Sequence, residues 1–406
     1  MSAASTPPSA PEAAALVIIG AGLAGWTTAR EFRKLDTTTP IVLVTADSGD
    51  FYAKPTLSNA CAQKRSAEQL VTTPAAKMAE TLNLTLHAHT QVNAIDTRGQ
   101  SMSVAGADGV AHPVAYAQLV LATGAHPIRI PLEGDAAGQV QSINQLTDLA
   151  QFQQHLGADP KTVLIMGAGL IGCEFANDLV LGGHTVHVVD PAQRPLAALL
   201  PEGASTQMRA ALSGMGVTWH FETTVQSLHS STGAKPLQAT LANGETVEAD
   251  LVLSAIGLRS DVALAQAAHI HCERGVVVDA LLQSSAAHVY ALGDCAQYAS
   301  AGARTLPYVM PIMNAARALA ATLAGTPTPL VFPLMPMSVK TPALPNVVAA
   351  PHPATPGQWV ADALDAEAAQ TSGAWRFLDA DGQQRGFVLT GKQTARRMEL
   401  SKTTVL

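Results

Sequence analysis

The sequence predicts an α/β protein made of two parallel βαβ units, with a small α+β domain at its C-terminal end. A glycine-rich turn between an apolar strand and a helix begins at Gly20, and the same arrangement recurs from Gly167. A Pro-rich stretch after about residue 330, followed by alternating segments and turns, indicates the smaller domain. With 406 residues, the chain is long enough for two or three domains.

The first glycine-rich turn has the spacing of a dinucleotide-binding site. A strand predicted over Leu16 to Ile19 precedes it, and a helix over 26–35 and a strand over 41–44 follow the turn Gly20-Ala21-Gly22-Leu23-Ala24-Gly25. The first glycine permits the tight turn, the second lets the backbone approach a pyrophosphate, and the third lets helix and strand pack closely. The helix N-terminus then points its free N–H groups and its positive dipole end at the phosphates.

The second copy repeats this order of elements. A strand predicted over 163–166 precedes it, and a helix over 173–181 and a strand over 184–189 follow the turn Gly167-Ala168-Gly169-Leu170-Ile171-Gly172. One such motif is weak evidence, but two copies in matching strand–helix frames predict that the chain binds two dinucleotides. The fold class is therefore α/β with two Rossmann-like domains.

Acidic residues after the second strand of each copy indicate which nucleotide binds there. Asp190 ends the strand of the second copy, where a carboxylate accepts hydrogen bonds from ribose hydroxyls and repels a 2′-phosphate. This favours NAD(H) over NADP(H), although Arg194, close by, is a residue type that accommodates such a phosphate. The first copy has Thr45 and Asp47 at the corresponding place, and we assign both to its nucleotide.

Three further apolar strands indicate the domain boundaries. They lead into the turns Ala122-Thr123-Gly124, Ile256-Gly257 and Gly293-Asp294, and the first two turns suggest crossovers between domains. We predict a flexible tail over 1–15 and one nucleotide domain over 16–128 and 262–328. A second nucleotide domain over 129–261 is inserted into the first, and a C-terminal domain covers 329–406.

The composition excludes several other classes of protein. Charged residues make up 14%, aromatic residues 4%, and the net charge is −7, which argues against binding to nucleic acid or to anionic lipid. The four cysteines form no CxxC pair, which disfavours a disulfide scaffold, a zinc or iron–sulfur site and a dithiol enzyme. The histidine clusters at 87–89 and 269–272 show no evident third ligand, so no metal is expected. We expect a cytoplasmic protein without membrane insertion.

The sequence has four further characteristic segments, Phe51 to Ser58, Gly169 to Asp178, Tyr308 to Pro311 and Val339 to Pro342. Together with the two glycine turns and Gly293-Asp294, they resemble the rubredoxin–NAD(+) reductases, a branch of the flavoprotein oxidoreductases with two dinucleotide-binding domains. The likeness runs from about residue 16 to about residue 391. It implies FAD in the first nucleotide domain and NADH in the second, with Asp294 on the ribitol hydroxyls of the flavin.

The resemblance also implies which residues contact each nucleotide. Those assigned to FAD are Gly20, Ala21, Gly22, Leu23, Ala24, Gly25, Thr45, Asp47, Lys54, Pro55, Ala122, Thr123, Gly124, Gly293, Asp294, Val309 and Lys340. Those assigned to NAD are Gly167, Gly169, Leu170, Ile171, Gly172, Glu174, Asp190 and Gly257. For Lys340, a solvated lysine before a loop is an equal alternative.

The reaction that the resemblance implies is transfer of the C4 hydride of NADH to flavin N5, followed by release of single electrons to rubredoxin. Glu174, in the first turn of the second motif's helix, is expected to face the flavin near N5 and to pair with Lys54. These two side chains are assigned to catalysis, and a plain surface i,i+4 or tertiary ion pair is the alternative. A helix predicted from Pro311 is expected to point its N-terminus at the flavin pyrimidine.

Other functions stay open at this point. Flavorubredoxin or ferredoxin would serve as the acceptor in sister enzymes, and a protein of apoptosis-inducing-factor type would respond to NADH by changing its interactions. Asn59 stands where NADH peroxidases and oxidases have a redox cysteine, which disfavours that chemistry. The resemblance makes two basic clusters, each otherwise a solvated face, candidates for docking an acidic rubredoxin. They are Arg30, Arg33 and Lys34, and Lys64-Arg65.

Overall fold

The computed structural model describes residues 15–365 and 367–406. The predicted tail over 1–15 lies outside the described residues except for Ala15, which is buried and accepts a 2.9 Å hydrogen bond from the backbone N–H of Ala117. None of the helices described is both long and apolar enough to cross a membrane. The described residues form nine α-helices: α1 Leu23–Arg33, α2 Ala75–Leu82, α3 Leu146–Leu156, α4 Leu170–Leu181, α5 Glu202–Gly214, α6 Ala263–Ala267, α7 Val309–Leu323, α8 Ala368–Thr371 and α9 Arg397–Thr403.

Strands alternate with these helices in the first three quarters of the chain and dominate its last part. The 25 strands of the described residues are β1 Leu16–Ile19, β2 Ile41–Val44, β3 Phe51–Tyr52, β4 Val71–Thr73, β5 Thr85–His87, β6 Gln91–Asp96, β7 Ser101–Ala105, β8 Ala111–Ala115, β9 Gln118–Leu121, β10 Ala125–Pro127, β11 Thr162–Met166, β12 Thr185–Asp190, β13 Thr218–Phe221, β14 Val225–Ser230, β15 Leu237–Leu241, β16 Thr246–Ala249, β17 Leu251–Ser254, β18 Leu258–Ser260, β19 Val276–Val278, β20 Val289–Ala291, β21 Ala296–Tyr298, β22 Asn346–Ala349, β23 Gly357–Ala361, β24 Gly373–Asp379 and β25 Gln384–Thr390.

The chain divides into two compact units. The first comprises the described residues up to Ala53 together with Val71–His126 and Arg259–Phe332. The second comprises Lys54–Leu70, Pro127–Leu258 and Pro333–Leu406. The predicted domain bounds at 128, 261 and 328 stay a prediction.

The first unit is built on a five-stranded parallel sheet. Its strand order is β20-β9-β1-β2-β5, with β1 in the centre and all four residues of β1 buried. Helix α1, which follows β1, packs against α7. Apolar strands buried on both faces are typical of a parallel sheet covered by helices. The unit also contains a separate antiparallel sheet formed by β6, β7 and β8.

The second unit combines a parallel sheet with two antiparallel ones. The parallel sheet has the order β13-β12-β11-β17, and the C-terminal antiparallel sheet has the order β22-β25-β24-β23. Helix α5 joins these two sheets: Gln207 donates to the carbonyl oxygen of Ser372 at 3.0 Å and accepts from the Thr390 hydroxyl at 2.5 Å. Trp375 packs on the same helix, since a Cβ at Gly203 would lie 3.0 Å from its indole ring. The C-terminal residues therefore share a core with the parallel sheet.

The α/β class and the elements around both glycine turns are confirmed, with shifted bounds. β1 and β2 have the predicted bounds, but α1 and α4 each begin three residues earlier than predicted, at Leu23 and Leu170. The cause is that the third glycine of each turn lies inside the first helical turn. Similarly, α7 begins at Val309, so Pro311 lies within its first turn, where the missing N–H removes no intrahelical hydrogen bond.

Candidate functional site

The outer glycines of the first turn are required by its backbone. Gly20 has φ +106°, and a Cβ on it would lie 2.3 Å from the carbonyl oxygen of Ala122. A Cβ on Gly25 would lie 1.8 Å from the carbonyl oxygen of Gly20. Both distances are far below van der Waals contact, and the positive φ favours glycine independently. The turn therefore brings α1 closer to the sheet than any other residue would permit.

The second turn has the same conformation. Gly167 has φ +105°, and a Cβ on it would lie 2.7 Å from the carbonyl oxygen of Ala255. A Cβ on Gly172 would lie 1.9 Å from the carbonyl oxygen of Gly167. The duplication seen in the sequence is thus a duplication of backbone geometry.

Unlike the outer glycines, the middle glycine of each turn is not required by the fold. Gly22 has φ −74° and ψ −170°, and Gly169 has φ −74° and ψ −168°, which any residue adopts. A Cβ on either would meet no atom of the described chain within 4 Å. Each missing side chain therefore leaves open space in front of a helix N-terminus.

The helices that follow the turns have free N-terminal donors. In the described residues, no side chain caps α1 or α4, nor α7, whose N-cap is Tyr308. The first N–H groups of a helix need acceptors, and its positive dipole end favours an anion. Open space beside uncapped N–H groups fits one pyrophosphate at each glycine turn.

In the first unit, predicted FAD residues gather at the carboxyl ends of β1, β9 and β20. Gly293 has φ +83°, and a Cβ on it would lie 2.8 Å from the Cβ of Ala24. Asp294 lies in the 3₁₀ helix Gly293–Cys295, on which α7 packs, and Val309 at the start of α7 is exposed. Ligands of open α/β sheets bind at this edge. The arrangement brings the glycine turn, Gly293 and Asp294 to one site.

Thr123 and Gly124 follow β9 at the same edge. The Thr123 hydroxyl donates to the carbonyl oxygen of Asp261 at 2.8 Å, which fixes the turn after the strand. Gly124 has φ +76° and open space around its missing Cβ within the described chain. The conformation explains the glycine, and the space permits close approach of a ligand.

The carboxylates after the second strands are hydrogen bonded to backbone. Asp190 accepts from the N–H of Ala168, inside the second turn, at 2.6 Å and from the N–H of Ala192 at 2.7 Å. Asp47 accepts from the Thr45 hydroxyl at 2.6 Å and from a backbone N–H. Asp190 is thereby held beside its glycine turn, where the ribose of a dinucleotide is expected.

Three other residues assigned to the second nucleotide site, or close to it, lie in the second unit. Gly257, after β17, has φ +112°, and its carbonyl oxygen accepts from the N–H of Ile128 at 3.0 Å. Arg194 has a buried Nε without a hydrogen-bond partner in the described part of the chain. Ile171, in the first turn of α4, is 40% exposed, which leaves an apolar side chain available to a ligand.

Glu174 is the centre of a buried polar cluster in the second unit. Its carboxylate accepts from the Ser58 hydroxyl at 2.5 Å, from the backbone N–H of Lys340 at 2.8 Å, and from the Lys340 ammonium group. The Lys340 ammonium also donates to the Ser58 hydroxyl at 2.6 Å. The Glu174 side chain is 2% exposed and that of Lys340 30% exposed. One carboxylate therefore joins three distant chain segments.

The structure pairs Glu174 with the ammonium group of Lys340, and the predicted pairing with Lys54 stays a prediction. Lys54 and Pro55 begin the 3₁₀ helix Lys54–Asn59, and it is Ser58 of that helix that reaches Glu174. The loop before β22 supplies the ammonium group because its backbone N–H at Lys340 bonds to the same carboxylate. Of the alternatives, a surface i,i+4 pair is wrong, since the carboxylate is buried, whereas the pair with Lys340 is a tertiary ion pair.

Two more side chains of the same helix face bind the same segments. Asn177 accepts from the N–H of Ala343 at 3.1 Å, and Asp178 accepts from the N–H groups of Cys61 and Ala62 at 2.9 and 3.0 Å. Sequence reasoning assigned no role to Ser58, Asn177 or Asp178. The available signal was the spacing of three polar residues, Glu174, Asn177 and Asp178, at i, i+3 and i+4 on an otherwise apolar helix.

Burial changes the titration of groups in this cluster. It raises the pKa of Asp178 to about 6, against the lowering effect of the two backbone N–H donors. Burial and the charge of Asp178 raise the pKa of the Cys61 thiol to about 11. A thiol with so high a pKa is a poor nucleophile at neutral pH. This agrees with the absence of a redox cysteine after Ser58 in the sequence.

Asp178 makes the stability of the protein depend on pH. A carboxyl with a pKa near 6 when folded and about 4 when unfolded binds more protons in the native state, so stability falls as pH rises between those values. Between pH 5 and 7.5, the wild type should lose about 1 kcal/mol of unfolding free energy relative to Asp178→Asn. Denaturant unfolding at both pH values measures this difference. Asp159→Asn replaces an exposed carboxylate, and its unfolding free energy should change with pH as that of the wild type does. If Asp159→Asn differed from the wild type as much as Asp178→Asn does, the assignment to Asp178 would be contradicted.

One member of the basic cluster on α1, Arg33, has a structural role. The Arg33 guanidinium donates to the carbonyl oxygens of Leu82, Asp36, Thr39 and Asn83, at 2.8 to 3.0 Å. These hydrogen bonds occupy the donors that a docking partner would need. Elsewhere, no group of three His, Cys, Asp or Glu suited to a metal ion occurs in the residues described.

Comparison with known proteins assigns a family model to each part of the chain. The model described as pyridine nucleotide-disulphide oxidoreductase matches residues 14–320. The model described as rubredoxin binding C-terminal domain matches residues 329–404. Together the matches span both glycine turns and the C-terminal antiparallel sheet.

Relatives extend over almost the whole chain. The rubredoxin-NAD(+) reductase of Alcanivorax borkumensis is 42% identical over 387 residues, 95% of this chain and 97% of the relative. The nitric oxide reductase FlRd-NAD(+) reductase of Aeromonas salmonicida is 39% identical, over 93% of each chain. A crystal structure of the covalent putidaredoxin reductase–putidaredoxin complex is similar with a TM-score of 0.84 and 25% identity, over 96% of this chain and 93% of that one.

Proposed function

This chain belongs to the pyridine nucleotide-disulphide oxidoreductase family, and we propose that it is an FAD-dependent reductase that takes electrons from NADH and passes them singly to rubredoxin. FAD is assigned to residues 16–128 and 262–328, NADH to 129–261, and the acceptor to 329–406. When bound, FAD accepts a hydride from NADH and gives up its electrons one at a time. The chain's own task is to bind both nucleotides and orient them.

The two glycine turns support the binding of two dinucleotides. At each turn, backbone N–H groups without a side-chain cap meet open space at the middle glycine, Gly22 or Gly169. The turn at Gly167 has the carboxylate of Asp190 beside it, which supports NADH as its ligand.

The pair Glu174–Lys340 is proposed to position the nicotinamide. Glu174 is the fifth residue of α4 and so lies in its second turn, not in the predicted first turn, and α4 is the helix whose N-terminus is proposed to bind the NADH pyrophosphate. Its carboxylate is fixed by Ser58 and by two donors of Lys340. A charge held in this way costs little reorganisation when a ligand binds, which is the property a positioning group needs.

The assignment of rubredoxin as acceptor rests on the match of residues 329–404 to a rubredoxin-binding domain. It is supported by the identity of 42% to a rubredoxin-NAD(+) reductase. A second candidate acceptor, flavorubredoxin, is favoured by the 39% identity to a nitric oxide reductase FlRd-NAD(+) reductase. We place the reaction in the cytoplasm, because all four cysteines are free thiols, as is usual in a reducing compartment.

Steady-state NADH oxidation with a panel of acceptors tests this proposal. The flavin-loaded enzyme is assayed with rubredoxin, flavorubredoxin, ferredoxin and ferricyanide. We expect kcat/KM to be highest for rubredoxin. Activity with ferricyanide alone would overturn the assigned acceptor, and a protein that stays colourless after incubation with excess FAD would overturn the whole proposal.

Removing the charge of Asp190 should weaken the preference for NADH. In Asp190→Asn, the amide oxygen keeps the hydrogen bond from the N–H of Ala168, while the acceptor for the N–H of Ala192 and the repulsion of a 2′-phosphate are lost. The ratio of kcat/KM for NADH to that for NADPH should fall at least tenfold, measured with ferricyanide as acceptor. Asp159→Asn, which removes an exposed carboxylate of the same unit, should leave the ratio unchanged. An unchanged ratio in Asp190→Asn would refute the role.

A further inference from the structure

The second unit contains a cavity whose lining includes Lys340 but no other residue assigned above to a nucleotide. Its volume is about 650 Å³, in the range of cavities that bind ligands or anchor a partner's side chains. One wall is the end of α4 with Asp178 and Leu181, and another is the loop from Ser338 to Asn346. Its lining is largely apolar, with Val339, Pro342, Pro345 and Val347 among its residues.

The loop that forms this wall is held rigidly. The buried amide of Asn346 accepts from the N–H of Val339 at 2.9 Å and donates to the carbonyl oxygens of Val339 and Leu344 at 3.1 Å. Asn177 and Glu174 of α4 bind the same loop through the N–H groups of Ala343 and Lys340. These hydrogen bonds all lie within the chain and hold the wall in one conformation, and a wall held in this way lowers the entropy cost of binding a partner.

Two basic segments flank the cavity. Gln63, which lines it, is followed by Lys64, and Thr394, which also lines it, is close to Lys392 in the chain. Both lysines are exposed, and no ion pair of either ammonium group is found in the described residues. Unpaired exposed cations around an apolar depression are arranged for contact with an anionic surface.

The charge of these segments contrasts with that of the whole chain. Residues 391–406 have four basic residues and one acidic residue, Glu399, whereas the chain as a whole has a net charge of −7. Glu399 is paired with Arg396 at 2.9 Å, and Asp178 is buried against backbone donors, so neither offsets the exposed lysines. In the segment 54–70, Glu68 is the acidic residue, beside Lys64 and Arg65. The two segments that flank the cavity therefore carry an excess of positive charge.

We propose that this cavity and its basic rim, Lys64 and Lys392, form the docking surface for the acidic electron-carrier protein that the enzyme reduces. The inference rests on the proposed function and deepens it, because it locates the acceptor's contacts. Apolar side chains of the partner enter the cavity, and its carboxylates meet the two lysines. Rim charges of this kind act mainly on the rate of encounter and depend on salt.

Charge reversal on the rim tests the proposal. With purified bacterial rubredoxin as acceptor, Lys64→Glu combined with Lys392→Glu should raise KM about tenfold at low ionic strength, and the difference should shrink as salt is added. The Kd for rubredoxin from calorimetry should rise in parallel. Reduction of ferricyanide, which needs no docking surface, should be unchanged, as should the flavin content. Arg98→Glu, at an exposed position of the first unit, is the matched control.

The outcomes separate this inference from the proposed function. A rise in KM and Kd that exceeds the control and falls with salt supports the docking surface. If the wild type reduces rubredoxin and the double variant does so with the KM of Arg98→Glu, the docking surface is overturned and the proposed function stands. If the wild type neither binds nor reduces rubredoxin, both are overturned.

Discussion

Replacing Glu174 by glutamine is expected to slow the reduction of bound flavin by NADH at least tenfold. Glutamine keeps the shape of the side chain but removes the charge that holds the Lys340 ammonium. Its amide also brings an N–H₂ group toward donors, namely the Lys340 backbone N–H and the Ser58 hydroxyl. A carboxylate this buried has no water to replace its partners, so the cluster loses its fixed geometry.

Stopped-flow absorbance of the flavin at saturating NADH measures this rate. The flavin content of Glu174→Gln should equal that of the wild type, because Glu174 belongs to the second unit and the FAD turn to the first. Glu202→Gln, an exposed carboxylate in the first turn of α5, is the matched control and should reduce at the wild-type rate. A wild-type rate in Glu174→Gln would remove this residue from the mechanism.

Lys340→Met distinguishes a positioning role from a merely structural one. It removes the cation but keeps the backbone N–H that bonds to Glu174. If the pair positions the nicotinamide, this variant should lower the rate of flavin reduction at saturating NADH with little change in the dissociation constant of NADH. A change in thermal stability alone, with the wild-type rate, would show that the pair is structural.

The fold could be predicted from the sequence because its signals are local. Each glycine turn follows an apolar strand directly, and the backbone at Gly20 and Gly167 permits no other residue. The start of each helix was misplaced by three residues because the sequence does not show that Gly25 and Gly172 lie inside the first turn. Tertiary packing against the turn, rather than helix propensity, determines where these helices begin.

The polar cluster around Glu174 was only partly predictable. The position of Glu174 on the second motif's helix follows from the motif, but its partners are separated from it by more than one hundred residues, |i−j| being 116 for Ser58 and 166 for Lys340. Lys54 and Lys340 are both plausible cations by sequence, and only the folded loop before β22 selects Lys340. Long-range side-chain pairs leave no periodic signal in a single sequence.

Replacing the middle glycine by valine, in one turn at a time, should impair one nucleotide site and leave the other intact. At Gly22 and Gly169 the backbone suits any residue and the Cβ meets no described atom within 4 Å, so the valine side chain is accommodated in the fold. It would occupy the space proposed for a pyrophosphate and block the helix N–H groups. Gly22→Val should therefore yield protein with less than about a tenth of the wild-type flavin.

Gly169→Val should instead keep its flavin and raise the KM for NADH about a hundredfold or more. The same substitution in the same backbone conformation serves as the control for the other site, since any general effect of valine on these turns would appear in both variants. Flavin absorbance after purification and NADH titration with ferricyanide give the two readouts. Gly20→Ala, which would place a Cβ 2.3 Å from a carbonyl oxygen, should by contrast destabilise the first unit itself. If both valine variants lost flavin equally, or neither changed, the assignment of one dinucleotide to each turn would be refuted.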